Sequence, residues 1–172
     1  LEDLAFQRDL LQQADKLNQL SEKLKEEAQK DDLDQKANEA AQRDLQKAKE
    51  ELERLAESNK QLDELLNSEE FKESEQKTEE GLQESSEQKQ SGDSKKANES
   101  EQKSSEGAKE MSESLMAMMS QMQSQALSMN MRSLRRILEN LKQFSKDVEQ
   151  NGLEVTDLGR DDPRYRFLLT EQ

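Results

Sequence analysis

The amino-acid sequence predicts an all-α protein of long helices, which pair as antiparallel coiled-coil hairpins or as a thin, elongated bundle. Apolar residues recur at alternating intervals of four and three positions, the repeat of a coiled coil. Only 30% of the 172 residues are hydrophobic and 3% are aromatic, which is too little for a large spherical core. Charged residues reach 38%, and the rest is mostly Ala, Leu, Gln and Ser, a composition that favours helices over disorder.

The charge and the missing residue types exclude several kinds of function. The chain has 26 basic and 40 acidic residues, a formal net charge of −14, which disfavours binding to nucleic acid or to anionic lipid through bulk charge. It has no His and no Cys, so the usual zinc, haem and iron–sulfur ligands and the Ser-His and Cys-His catalytic pairs are missing. We therefore expect no cofactor, no metal and no enzymatic activity.

Two features of the sequence concern the size of the parent protein and the insertion of this segment into a membrane. Leu1 is not a start methionine, so we expect the chain to be a segment of a longer protein. No run approaches the roughly 20 apolar residues needed to cross a bilayer, and no signal peptide opens the chain. Direct membrane insertion by this segment is therefore not expected.

Five segments are predicted from the periodicity and the helix-breaking residues. They are a coiled-coil helix over 1–30, a second over 33–67, a polar helix or linker over 69–91, a long Met-rich helix over 94–150, and a loop with the start of a further helix over 153–172. Asn151 and Gly152 are the predicted C-cap of the long helix, and Asp162 with Pro163 predicts the start of the last one.

The first two helices carry the clearest apolar stripes. The stripe of the first consists of Leu10, Ala14, Leu17, Ser21, Leu24 and Ala28, and that of the second of Ala41, Leu45, Ala48, Leu52, Leu55, Asn59, Leu62 and Leu66. Asp32 followed by Gln35 resembles a capping box between the two helices. Asn59 has two interpretations: a polar seam residue that sets register, or a partly solvated residue near a helix end. Asn67 and Ser68 predict a break.

The middle of the chain is poor in apolar residues. Its best stripe is Phe71, Thr78, Leu82 and Ser85, followed after a predicted reversal at Gly92 by the small residues Ala97, Ser100, Ser104, Gly107 and Ala108. Small residues on one face allow a neighbouring helix to approach closely, so a packed helix is one interpretation. The other is a solvated, frayed linker.

The methionines form the candidate partner-binding site. All seven lie between Met111 and Met131, and the proposed site comprises Met111, Leu115, Met118, Met119, Met122, Met129 and Met131. Met is flexible and polarisable and is common on adaptable hydrophobic surfaces, so these residues could receive a hydrophobic peptide or lipid. Alternatively they fill an irregular seam between helices. A copper(I) site is disfavoured because no Cys or His joins the cluster.

A second apolar stripe, beside a basic patch, follows the methionines after a slip in phase. The stripe consists of Leu127, Met131, Leu134, Leu138, Leu141 and Val148, broadened by Ile137 and Phe144, and the basic residues are Arg132, Arg135, Arg136, Lys142 and Lys146. The cations could bind phosphate or RNA. Because no aromatic stacking platform accompanies them, pairing with carboxylates on a packed neighbouring helix is the better explanation.

The C-terminal third contains a Leu-Arg-x-Ile-Leu-Glu-Asn-Leu run, here Leu134 to Leu141, and a later Asp-Pro-Arg-Tyr, here Asp162 to Tyr165. In these motifs it resembles a family of large, uncharacterised bacterial membrane-anchored proteins with Gln- and Met-rich coiled coils. The resemblance implies attachment to the cell envelope through an anchor outside this segment. It implies no activity and no catalytic residues.

These observations favour a structural or protein-interacting function. The expected role is that of a spacer or assembly element of a larger envelope protein, with a second copy or another envelope protein as partner. The alternative is a binding module that receives a hydrophobic peptide or lipid on its Met-rich face. No pair of carboxylates stands out as a general acid and base, because such pairs are expected by chance at this charge density.

Overall fold

The computed structural model confirms the all-α class. It describes the backbone of residues 2–30 and 35–157 and the side chains of residues 4–30 and 35–150. Five helices lie in this part of the chain: α1 Glu2–Glu27, α2 Gln35–Ala56, α3 Lys60–Leu66, α4 Glu69–Ser91 and α5 Ser94–Asp157. The chain divides into two compact units, Leu1–Met122 and Gln123–Gln172. The boundary coincides with the slip in phase between Met122 and Leu127.

The first unit is a bundle in which each neighbouring pair of long helices runs antiparallel. Helix α1 packs against α2, and α2 against α4. Two hydrogen bonds join α5 to α1. Ser105 Oγ donates to Ser21 O at 2.8 Å, and Ser112 Oγ donates to Ala14 O at 2.8 Å. Since the higher-numbered residue of α5 meets the lower-numbered residue of α1, these two helices are antiparallel. Short α3 packs on α2 and α4.

The core of this bundle is formed by the predicted stripes. Its buried apolar residues include Leu10, Leu17, Leu45, Leu52, Leu62, Phe71, Leu82, Met111 and Leu115. In the middle of the chain, Thr78 and Ser85 are buried with Phe71 and Leu82, so residues 69–91 form a packed helix rather than a linker. In α4, polar and small side chains thus occupy core-facing positions of the helical repeat that are mostly leucine in α1 and α2.

Helices α4 and α5 approach each other closely where small residues face each other. A methyl group placed on Gly81 would lie 2.6 Å from the backbone oxygen of Ser100, and one on Gly107 would lie 2.6 Å from that of Ser74. Ser104 Oγ donates a hydrogen bond to Thr78 O across the same contact, at 3.1 Å. Glycine is required at both positions because a larger residue would collide with the facing backbone.

We expect Gly81→Ala to destabilise the first unit by about 1–3 kcal/mol, the usual cost of overpacking. In an isolated helix the same change would be favourable by about 1 kcal/mol, because Ala is the better helix former. The measurement is the free energy of unfolding by urea, followed by circular dichroism. The control is Ser114→Ala, on the less buried surface of α5, which should change stability by no more than about 0.5 kcal/mol. A Gly81→Ala variant more stable than the original chain would contradict the close contact.

Capping side chains set the helix breaks. The Ser68 side chain accepts a hydrogen bond from the Phe71 N–H at 3.2 Å, which confirms the break at Asn67 and Ser68. Gly92 has φ 78° and lies in the left-handed region, so the predicted reversal there is confirmed. Asn59 accepts from the Leu62 N–H at 3.1 Å and begins α3. The interpretation of Asn59 as a seam residue was therefore wrong, and so was a single helix over 33–67.

The long helix extends further than the sequence predicts. Helix α5 continues through Asn151 and Gly152 to Asp157, so these two residues are not its C-cap and residues 153–157 are helical rather than a loop. Glycine inside a helix costs only about 1 kcal/mol relative to alanine, which a long helix can tolerate. The predicted Asp32 capping box and the Asp162–Pro163 helix start lie outside the described residues.

Ion pairs join neighbouring helices of the bundle. Lys77 of α4 contacts Glu110 of α5 at 3.0 Å and Glu106 at 3.2 Å. The hydrogen bond to the Glu110 carboxylate is the largest influence and raises the pKa of Lys77 above its ordinary value. This contribution to stability is therefore complete below pH 10.5 and is lost only as the pH rises through the raised value. Such exposed pairs favour the antiparallel register more than they stabilise the fold.

Candidate interaction surface

The second unit carries a continuous row of exposed apolar side chains. Leu127 is 66% exposed, Leu138 64% and Phe144 63%, and Val148 is the most covered at 38%. The row, here called the α5 stripe, consists of Leu127, Met131, Leu134, Ile137, Leu138, Leu141, Phe144 and Val148. A row of this many exposed apolar side chains is unusual on a protein surface, and it makes this face the candidate interaction surface.

Helical periodicity aligns these residues on one face. In a heptad written abcdefg, Met131 and Leu138 occupy position a, whereas Leu127, Leu134, Leu141 and Val148 occupy position d. Ile137 and Phe144 occupy position g, which widens the face to three of every seven residues. This width is typical of helices that pack into a bundle, whereas a two-stranded coiled coil uses only a and d.

The helix between Leu127 and Val148 is uninterrupted, and no Gly or Pro lies between these residues. One side-chain contact along it joins Gln143 Nε2 to Asp147 Oδ1 at 2.8 Å, four residues apart on the surface of the helix. The apolar face is therefore carried on a regular scaffold, and the spacing of its side chains is that of the helix itself.

Five basic residues lie on the same stretch of α5 as the stripe. Arg132, Arg135, Arg136, Lys142 and Lys146 are all exposed, and none forms an ion pair with another side chain in the part of the chain that the structure describes. The expectation that they pair with carboxylates of a packed neighbouring helix is thus not met within residues 4–30 and 35–150. Their charge remains available to a partner.

The methionine site is divided between different environments. Met111 and Leu115 are fully buried and Met118 is 9% exposed, all three within the core of the first unit. Met119 and Met122 are half-buried against that core. Met129 and Met131 are exposed, but only Met131 belongs to the α5 stripe, because Met129 occupies position f. The candidate residues therefore do not form one surface.

A buried ion pair in the first unit escaped the sequence analysis. Lys89 Nζ lies 2.6 Å from Glu101 Oε1, and each side chain is only 1% exposed. Ser85 Oγ donates to the same carboxylate oxygen at 3.1 Å. In a chain so rich in Lys and Glu, no sequence signal separates these two residues from the others. Because both side chains are buried, neither can contact a substrate. The pair therefore contributes to the structure of the first unit.

A groove of the first unit lies between α2, α3 and α4. Its volume is about 760 Å³, and Leu52, Ala56 and Phe71 line it together with Lys49 and Glu75. Lys49 pairs with Glu75 and, at 2.5 Å, with Glu79. Two further lysines line the groove: Lys60 pairs with Glu64 at 3.3 Å, and Lys72 Nζ donates to Asn67 Oδ1 at 3.1 Å. Because each of the three lysines already has a partner, the groove offers no convergent set of free cations for chemistry or for a charged ligand.

Comparison with known proteins gave no match to a family model, to a curated protein or to a solved structure. Within residues 2–30 and 35–157, no helix is both long enough and apolar enough to cross a membrane. The described part of the chain also contains no group of three or more acidic side chains placed to hold a metal ion. Of the surfaces described above, the α5 stripe with its adjacent cations is therefore the best candidate for a functional site.

Proposed function

We propose that this chain is a non-catalytic protein-interaction segment that uses the α5 stripe to dock a helix of a partner protein. The observation that carries the proposal is the exposure of eight apolar side chains along one face of a regular helix. Every other long helix in the described residues buries its apolar stripe. The exposed face has the same periodicity as the buried stripes of the other helices. Another helix can therefore cover it, because the side chains of two paired helices interdigitate at the same spacing.

The setting we propose is an assembly element of a larger bacterial envelope protein. Support comes from the resemblance of the C-terminal third to membrane-anchored envelope proteins, whose Leu-Arg-x-Ile-Leu-Glu-Asn-Leu run corresponds here to the centre of the α5 stripe. The first unit would then serve as a packed spacer. Reception of a hydrophobic peptide on a methionine face is less favoured, because Met111, Leu115 and Met118 lie in the core.

We expect Leu138→Gln to abolish docking while leaving the fold intact. Leu138 is 64% exposed, so its replacement should change the free energy of unfolding by less than about 0.5 kcal/mol. Docking is measured by placing the photoreactive residue p-benzoylphenylalanine at position 141 in the cells of origin and following cross-linked protein. The adduct should form in the original background and disappear when Leu138→Gln is added.

The positional control is the same photoreactive group at Gln143, which occupies position f on the opposite face of the helix. It should give little adduct, whereas the group at position 141 should give a discrete one. Equal cross-linking from positions 141 and 143, or an adduct that Leu138→Gln leaves unchanged, would contradict docking through the α5 stripe.

A further inference from the structure

We infer that the partner docked on the α5 stripe is an acidic amphipathic helix of a separate protein chain. This inference rests on the proposed function and adds the chemistry of the partner. It follows from the position of the cations around the stripe and from the way charge is distributed between the two units.

Charge is segregated along the chain. Residues 1–122 contain 18 basic and 32 acidic residues, so 18 − 32 accounts for the whole net charge of −14. Residues 123–172, by contrast, contain eight basic and eight acidic residues, and 8 − 8 gives 0. The exposed apolar face therefore lies on a unit without the acidic excess of the first. Between residues 127 and 148, five basic residues accompany two acidic ones, and 5 − 2 gives +3.

Two of the five cations lie directly beside the α5 stripe. Arg135 and Lys142 occupy position e, next to the seam, whereas Arg132, Lys146 and Arg136 occupy positions b and f on the opposite face of the helix. Glu149 also occupies position e, but it lies beyond Val148, the last residue of the stripe. The other side of the stripe, at positions c and g, has Asp147 as its only charge between residues 127 and 148. A helix that covers the seam meets Arg135 and Lys142 with its own flanking residues, so carboxylates there form ion pairs.

A second copy of this chain does not supply those carboxylates through its own stripe. In a parallel pair, position e faces position g of the partner helix, so Arg135 would face Asn130 and Lys142 would face Ile137. In an antiparallel pair, position e faces position e. Lys142 would then meet Arg135 in one register and its own counterpart in another, and only the second of these brings Arg135 to Glu149. Self-association therefore pairs Arg135 in one register at most and leaves Lys142 facing another cation in both.

A lipid surface is the weaker occupant. Helices that lie in a membrane interface carry cations on the polar face, as Arg132, Arg136 and Lys146 do here. A protein with net charge −14 is nevertheless repelled from an anionic membrane. Cations at position e, directly beside the seam, are typical of helix pairing, in which they select the partner.

The test uses the full chain and two synthetic helical peptides of about four heptads. Both have Leu at the seam positions; one has Glu and the other Lys at the flanking positions. Binding is measured by fluorescence anisotropy of the labelled peptides. We expect the Glu peptide to bind and the Lys peptide not to bind. The preference should vanish near 1 M salt, where charges are screened beyond about 3 Å.

Two neighbouring arginines provide a matched pair of variants. Arg135→Glu, at position e, should weaken binding of the Glu peptide about fivefold, because one ion pair becomes a repulsion. Arg136→Glu makes the same change of charge at position f and should weaken it less than about twofold. Equal effects of the two variants would show attraction by bulk charge and overturn the assignment of Arg135 to the flank of the seam.

Each remaining outcome separates this inference from the proposed function. Equal binding of both peptides, lost in Leu138→Gln, would overturn the acidic partner and keep the docking surface. Binding of neither peptide would overturn the acidic partner. If the stripe also gave no cross-link in cells, the proposed function would fail with it. A dimer in analytical ultracentrifugation that Leu138→Gln abolishes would assign the stripe to a second copy of this chain. Tighter binding to phosphatidylserine vesicles than to the Glu peptide would assign it to a membrane.

Discussion

Replacing Lys89 by methionine should lower the free energy of unfolding by about 3–5 kcal/mol, the largest effect that we expect from a single substitution. The lysine lies 2.6 Å from Glu101, and both side chains are 1% exposed. Without the ammonium, the buried Glu101 carboxyl group would lose its ion-pair partner, and its second oxygen already has no hydrogen-bond partner among the described residues. The measurement is urea unfolding followed by circular dichroism.

The double variant Lys89→Met with Glu101→Met distinguishes a lost ion pair from lost packing. Removing both charges avoids the uncompensated carboxylate, so the double variant should be clearly more stable than Lys89→Met alone. Lys95→Met, an exposed lysine of the same bundle, should stay within about 0.5 kcal/mol of the original chain. A double variant as unstable as the single one would mean that the two side chains contribute through their packing.

The second large effect is expected at Leu52, in the apolar core of α2. Leu52→Ala should cost about 2–5 kcal/mol, because the leucine is 1% exposed and its truncation leaves a cavity. The thermal midpoint of the first unit should fall accordingly. Differential scanning calorimetry of the full chain provides the measurement.

The control for Leu52→Ala is the adjacent, exposed Glu53. Glu53→Ala should change stability by no more than about 0.5 kcal/mol. Lys49 lies outside the apolar stripe of α2 and would be the natural choice from the sequence, but it is unsuitable because it pairs with both Glu75 and Glu79 of α4. Equal midpoints for Leu52→Ala and Glu53→Ala would refute the heptad register of this helix.

The Lys89–Glu101 pair also helps to fix the position of α4 along α5. Hydrogen bonds to charged groups are directional, and a shift of α4 along α5 by one turn would leave both charges buried without partners. The close contacts of Gly81 and Gly107 with the facing backbone restrict the register as well. The ion pair adds an electrostatic penalty to a shifted register, which the double methionine variant loses.

Sequence periodicity predicted which residues of the first unit are buried, from Leu10 in α1 to Leu115 in α5. It also predicted the small-residue contact, because Ala97, Ser100, Ser104, Gly107 and Ala108 recur on one face. It did not predict the break at Asn59, since the heptad spacing of α2 continues through α3 without interruption. Capping is a local interaction between one side chain and one backbone N–H, and it leaves no trace in the spacing of apolar residues.

By itself the sequence determined the helical class, the location of the apolar stripes and the reversal at Gly92, because these depend on interactions within a few residues of the chain. Only the tertiary structure decided which stripes are covered. The heptads that begin at Leu10 and at Leu127 look alike as sequence, yet the first is buried and the second exposed. Burial depends on which helices lie alongside, and that is a property of long-range packing. For the same reason, only the structure separated Lys89 and Glu101 from the other charged residues of the chain.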